Sequence, residues 1–173
     1  MTTTNSRGAI LRDVITQTNT RRDGALPLDV PGVAEAFEDE LSLIGALQLR
    51  WHTRLAGRIE RELMHQPMDL EQAVVDAWHA TADELPGVLA VVDRHRAAPS
   101  SAAMAEAMSR SADKERILLA MMAGRVSTPG DDAIRIGAQI ENRARATYRP
   151  AVLDGHPAGQ PRLLARIKAA LAA

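Results

Sequence analysis

Residues 33–65 read VAEAFEDELSLIGALQLRWHTRLAGRIERELMH. Apolar side chains recur there every three or four residues, which is the spacing of one face of an α-helix. The acidic residues lie in the first turns and the arginines follow later, an order that favours the helix dipole. The recurring apolar positions are Phe37, Leu41, Ile44, Leu47, Trp51, Leu55, Ile59 and Leu63. We therefore predict one continuous helix over 33–65, about 50 Å long at 1.5 Å per residue.

The rest of the chain also shows helical patterns. They predict a short helix at about 8–18 and three longer ones at about 70–96, 102–124 and 131–148. Pro86 and Gly87 fall inside the second long helix and predict a kink or a break there. Alanine, the best helix former, is common, and no window alternates like a β-strand. The predicted fold is all-α, a four-helix up-down-up-down bundle with a kinked second helix.

Prolines and glycines divide the chain into four parts. Residues 1–32 form an N-terminal arm and linker, 33–148 the bundle, 149–160 a flexible linker and 161–173 a tethered amphipathic helix. The N-terminal helix either packs on the bundle or reaches a partner. The terminal helix has an apolar face formed by Leu163, Leu164, Ile167 and Leu171. Its basic residues are Arg162, Arg166 and Lys168. We expect it to dock on a partner protein; folding back and contact with an anionic membrane surface are the alternatives.

Composition excludes several classes of protein. The 173 residues include no cysteine, which rules out disulfides and thiolate metal sites. A net charge of −1 gives no overall basic surface for nucleic acid, and two Trp, one Tyr and one Phe are too few for base stacking. No apolar run reaches the roughly 18–20 residues of a membrane span, and no signal-peptide pattern is present. We expect a cytoplasmic protein, and the excess of arginine over lysine suggests a bacterial source.

The predicted first helix is longer than the predicted fourth. The fourth helix, at about 131–148, cannot cover the apolar face of the first along its whole length. An exposed apolar stripe is usually covered by a second copy or another protein. We assign this role to Phe37, Leu41, Ile44, Trp51 and Leu55. The sequence therefore predicts a homo-oligomer.

Histidines and carboxylates raise the question of a di-metal site, which helical bundles build from Glu and Glu-x-x-His residues. Counted along the helices from one end, His79, Glu115 and Glu141 lie at the same height. The first helix offers arginine but no carboxylate at that height, so we expect no metal and no other cofactor. Glu115 and Glu141 are expected to form a buried polar layer, in which Arg54 or Arg58 pairs with them. A ligand or proton-transfer site and simple exposure are the alternatives.

No complete catalytic set accompanies these residues, since the serines and threonines lack the sequence signature of a nucleophile. His52 is expected at the boundary of the core. The methionines of the third helix are expected to fill the core, with a plastic binding face as the alternative. The sequence favours a non-catalytic helical scaffold or accessory subunit that associates with itself and docks on a larger protein. The alternative is a ferritin-like bundle that binds a metal or ligand through carboxylates and histidine.

Overall fold

A computed structural model describes residues 6–65 and 67–150. These residues form helices and no strand, which confirms the all-α prediction. The helices are α1 (Arg7–Arg21), α2 (Val33–Ala36), α3 (Glu40–Met64), α4 (Leu70–Glu84), α5 (Pro86–Ala97), α6 (Ala102–Met122) and α7 (Asp131–Thr147). None of the described helices combines the length and the apolar character needed to cross a bilayer.

The predicted continuous helix over 33–65 is wrong in its first part. Phe37 is extended, with φ −129° and ψ 127°, and separates α2 from α3. The N–H of Ser42 donates to Asp39 Oδ1 at 2.7 Å, and the N–H of Asp39 donates to Ser42 Oγ at 3.4 Å. This reciprocal capping box starts α3 and competes with continuation of the helix from α2.

Pro86 divides the predicted second helix into α4 and α5. Leu85, the residue before the proline, leaves the helical region with φ −125° and ψ 48°. Pro86 takes the first position of α5, where a backbone N–H is not needed. The bounds of α6 and α7 agree with the prediction to within two residues. The four-helix up-down-up-down arrangement stays a prediction.

The N-terminal helix is part of the same hydrophobic core as the other helices. Ile10 and Val14 of α1 are buried. The N–H of Gly87, in α5, donates to Asn19 Oδ1 at 2.9 Å, and Gly87 lies against the backbone of Thr18. Of the two alternatives for this helix, the structure therefore shows packing on the body.

The apolar stripe that includes Phe37 and the apolar face of α3 is covered by other helices of the same chain. Of its assigned residues, Leu41 is half-buried. The other four are buried, namely Phe37, Ile44, Trp51 and Leu55. The exposed stripe expected from the sequence is therefore wrong. The reason is that α1, α4, α5 and α6 all contact α3, so that coverage does not depend on the short α7. The homo-oligomer stays a prediction, but it loses this support.

The C-terminal predictions fall outside the described residues. The described residues end at Pro150, just after the start of the predicted linker 149–160. The predicted docking helix over 161–173 therefore stays a prediction.

Candidate functional site

A buried carboxylate connects the two tryptophans of the chain. Glu115 on α6 is 3% exposed. Its Oε2 accepts a hydrogen bond from Trp51 Nε1 of α3 at 3.1 Å, and its Oε1 accepts one from Trp78 Nε1 of α4 at 3.2 Å. The two indole rings meet edge to face with their centroids 5.8 Å apart. Glu115 thus joins three helices within the core.

The predicted arginine partner of Glu115 is wrong. Arg54 and Arg58 both bind Glu84 at the end of α4, through Arg54 Nε at 2.6 Å and Arg58 Nη2 at 2.7 Å. Partial burial would raise the pKa of Glu84, but the two guanidinium groups outweigh it and lower this pKa below its ordinary value. The two guanidinium groups thus pair with the half-buried Glu84, whereas the deeply buried Glu115 accepts hydrogen bonds from neutral indoles.

Glu141 on α7 is surrounded by arginines. Its Oε1 accepts hydrogen bonds from Arg96 at 2.6 Å and Arg145 at 3.0 Å. Its Oε2 accepts one from Arg116 at 3.1 Å. Burial would raise the pKa of Glu141, but the arginines outweigh it and lower the pKa. A buried arginine-paired carboxylate was predicted here, yet the arginines come from α5, α6 and α7 instead of the first long helix.

His79 takes partners on α7. Its Nε2 lies 2.8 Å from the carbonyl oxygen of Ala144 and 3.3 Å from Thr147 Oγ1. His79, Glu115 and Glu141 therefore have separate partners. Within residues 6–65 and 67–150, no group of three or more His, Asp or Glu side chains is arranged to hold a metal ion. The structure does not bring the candidate ligands together.

Tyr148 closes the aromatic cluster beside Trp78. Their ring centroids are 5.8 Å apart, and the Tyr148 hydroxyl donates to Asp83 at 2.9 Å. Burial and the nearby carboxylate raise the pKa of Tyr148 to about 12. The phenol therefore stays neutral at physiological pH and fixes the end of α7 against α4.

A polar cleft lies between α3 and α6, beside Glu115. Gln48, His52, Arg110, Ser111 and Lys114 line this cleft of about 250 Å³. The His52 side chain is 24% exposed, as expected for the boundary of the core, and its Nε2 lies 3.4 Å from a Glu115 oxygen. Sequence reasoning missed this contact, although His52 adjoins Trp51, which also contacts Glu115.

Apolar side chains are exposed at the end of the molecule where α3 ends, α4 begins and α6 ends. We call this group the methionine surface: Met64, Met68, Leu70 and Met121. Met64 is 78% exposed and Met68 fully exposed. The other large apolar side chains exposed in the described part of the chain are Leu28 and Leu49. The methionines of α6 thus differ in exposure. Met104 and Met108 fill the core as predicted, whereas Met121 lies at the surface.

Charged side chains border the methionine surface. Glu71 binds both Arg125 and Arg143, the latter at 2.8 Å. The Glu71 side chain is only 18% exposed, whereas Arg125 and Arg143 are 53% and 44% exposed. The nearby Asp69 is occupied as the N-cap of α4, where it accepts the N–H of Gln72 at 2.9 Å. The rim therefore holds two carboxylates and two arginines, and Asp69, Arg125 and Arg143 are its exposed members.

A second apolar surface lies near the start of α3. Leu28, Val33, Phe37, Glu38, Asp39 and Glu40 contribute to a cleft of about 270 Å³, which we call the acidic cleft. Leu28 is 50% exposed. Glu38 and Glu40 are exposed and pair with no described residue. At 1.5 Å per residue, the acidic cleft and the methionine surface are about 36 Å apart along α3.

No protein-family model, curated protein or solved structure matches this chain.

Proposed function

We propose that this protein is a non-catalytic helical scaffold subunit that associates with itself through the methionine surface. The observation that carries the proposal is the position of the exposed apolar side chains. Four of the six in the described part of the chain lie at one end of the molecule. Single exposed apolar residues are ordinary, but a group of them inside a charged rim is typical of an interface.

The side-chain types support this role. Three of the four residues are methionines, whose flexible thioethers adapt to the shape of a partner. The rim adds Arg125 and Arg143, and arginine is enriched in protein interfaces. An occupant whose apolar groups are flanked by carboxylates would meet Arg125 and Arg143, which are more exposed than their partner Glu71.

The acidic cleft of a second copy has this chemistry. Leu28 supplies an exposed apolar group, and Glu38 and Glu40 supply unpaired carboxylates. Because the two surfaces lie at opposite ends of α3, copies would bind head to tail. Such a contact grows into a chain of subunits unless its rotation closes a ring. We place this scaffold in the cytoplasm; docking on a larger protein through residues 161–173 stays a sequence-based prediction.

Light scattering of the purified full-length protein tests the proposal. We expect the average mass to rise with concentration above the 18.7 kDa of one chain. Met64→Ser combined with Met68→Ser should return the protein to a monomer, since it removes the apolar centre of the contact. Leu49→Ser is the matched control, because Leu49 is 68% exposed on α3 but belongs to neither surface.

Three results would contradict the proposal. One is a wild-type monomer at all concentrations up to the millimolar range. Another is an assembly that the paired methionine substitutions leave intact, which would place the contact elsewhere on the molecule. An identical loss in Leu49→Ser would also count against the methionine surface.

A further inference from the structure

The polar cleft between α3 and α6 is rich in hydrogen-bond donors. α3 contributes Gln48 and His52, and α6 contributes Arg110, Ser111 and Lys114. No carboxylate lines it. Two cations, a hydroxyl and an imidazole therefore share a small space that neither surface of the proposed assembly uses.

The positive charge of the cleft is only partly compensated. Arg110 pairs with Glu106 at 2.5 Å, but both side chains are well exposed, at 64% and 67%. Such a pair is weak in water. Lys114 pairs with no described residue, and the neighbouring Asp113 contacts Arg116 at 3.5 Å. The cleft is therefore electrostatically suited to an anion.

His52 approaches the buried Glu115 on the core side of the cleft. Its Nε2 lies 3.4 Å from Glu115, whose oxygens are held by the indole N–H groups of Trp51 and Trp78. A carboxylate at one ring nitrogen orients an imidazole towards a ligand at the other. His52 Nδ1 makes no hydrogen bond to a described residue. This nitrogen is left for a bound group.

We propose that this cleft binds a small phosphate monoester. A phosphate monoester carries a charge of about −1.5 to −2 at pH 7 and three strong acceptor oxygens, which match two cations and two further polar groups. Lysine binds phosphate as a point charge and arginine as a planar fork. The volume of about 250 Å³ is below the roughly 300–1,000 Å³ of sites for drug-sized ligands. The alcohol part of the ester is therefore small.

The tryptophans provide the readout for a binding experiment. The chain contains two tryptophans, so a ¹H–¹⁵N correlation spectrum of the full-length protein shows two indole N–H signals. Glycerol phosphate is the probe, titrated at constant ionic strength, with acetate and chloride as control anions. We expect a saturable shift of the Trp51 indole signal, because its acceptor Glu115 contacts His52. A shift that fails to saturate, or that acetate and chloride produce equally, would overturn the proposal.

Matched substitutions separate the cleft from general charge attraction. Lys114→Gln should weaken binding about tenfold, the loss of one charge-assisted hydrogen bond, and Ser111→Ala should weaken it less. Lys114 is exposed and Ser111 is half-buried, and neither substitution adds bulk, so both variants should fold. Arg94→Gln removes an exposed arginine of α5 that does not line the cleft, and it should change the affinity by less than about twofold. Equal weakening by Lys114→Gln and Arg94→Gln, or weakening by neither, would contradict a site in this cleft.

Discussion

Glu115 and Glu141 show two ways in which a helical core satisfies a buried carboxylate. Glu115 accepts hydrogen bonds from two neutral indoles, whereas Glu141 accepts them from three guanidinium groups. Both oxygens accept hydrogen bonds in each case, as the burial of polar atoms requires. Each carboxylate also fixes its own helix against two others, so these residues define how the helices are placed.

The pH dependence of stability tests the arginine cluster. The pKa of Glu141 in the folded protein lies below its ordinary value of 4.5, so the unfolded chain binds the proton first as the pH falls. The stability that the cluster contributes is therefore complete above the ordinary pKa and is lost as the pH falls through the lowered one. Glu141→Gln should reduce the free energy of unfolding by about 3 kcal/mol at pH 7, because it removes the buried charge that three half-buried arginines share.

Urea unfolding of wild type and Glu141→Gln from pH 7 to pH 3 measures this difference. It should stay constant between pH 7 and pH 5 and shrink only below about pH 4. Glu106→Gln, at an exposed carboxylate of α6, is the control and should change stability by less than about 0.5 kcal/mol. A difference that disappears between pH 7 and pH 5 would show that the pKa of Glu141 is not lowered.

The partners of Glu115 show what residue counting can and cannot predict. Counting residues along each helix predicted that Glu115 lies at the same height in the bundle as His79. Its actual partner, Trp78, is the residue next to His79, so the predicted height of Glu115 is nearly correct. Which side chains face each other at that height depends on the rotation and crossing of the helices, and apolar spacing alone does not fix these. For the same reason the partner of Arg54, Glu84, was missed.

At the scale of elements, most helices follow from the sequence, and the break before α3 had a readable signal. Asp39 and Ser42 stand three residues apart, which is the spacing of a capping box. The unbroken apolar periodicity over 33–65 predicted a longer helix, but in the structure the capping box at Asp39 starts a new helix. The approach of α6 and α7 could not be predicted in this way, because it depends on a glycine that packs against another backbone.

Substitution of that glycine tests the packing of α7 on α6. A β-carbon on Gly137 would overlap the carbonyl group of Arg116. Gly137→Ala should therefore lower the free energy of unfolding by about 3 kcal/mol, more than the gain of about 1 kcal/mol in helix propensity. Gly57→Ala in α3 is the matched control: no atom beyond the neighbouring residues and backbone of its own helix lies within 4 Å of its added carbon, and it should raise stability by up to about 1 kcal/mol. Thermal unfolding followed by circular dichroism measures both, and equal effects would contradict close packing at Gly137.

At the scale of the whole molecule, the structure changes where self-association is expected. The sequence pointed to the middle of α3, but Ile44 and Leu55 there are fully buried by the chain's own helices. Predicted helix lengths could not show this, because α1 and α5 also pack on α3. Of the six large apolar side chains exposed in the described part of the chain, five lie instead in the methionine surface or beside the acidic cleft, and Leu49 is the exception.

Mixing two variants tests the head-to-tail contact most directly. Met64→Ser/Met68→Ser removes the methionine surface and keeps the acidic cleft, whereas Leu28→Ser/Glu38→Lys alters the cleft and keeps the methionine surface. Each variant alone should be a monomer of 18.7 kDa by light scattering. Their mixture should form a one-to-one dimer and no larger species, because only one productive contact remains. Two variants that stay monomeric when mixed, or that associate just as well alone, would contradict a contact between these surfaces.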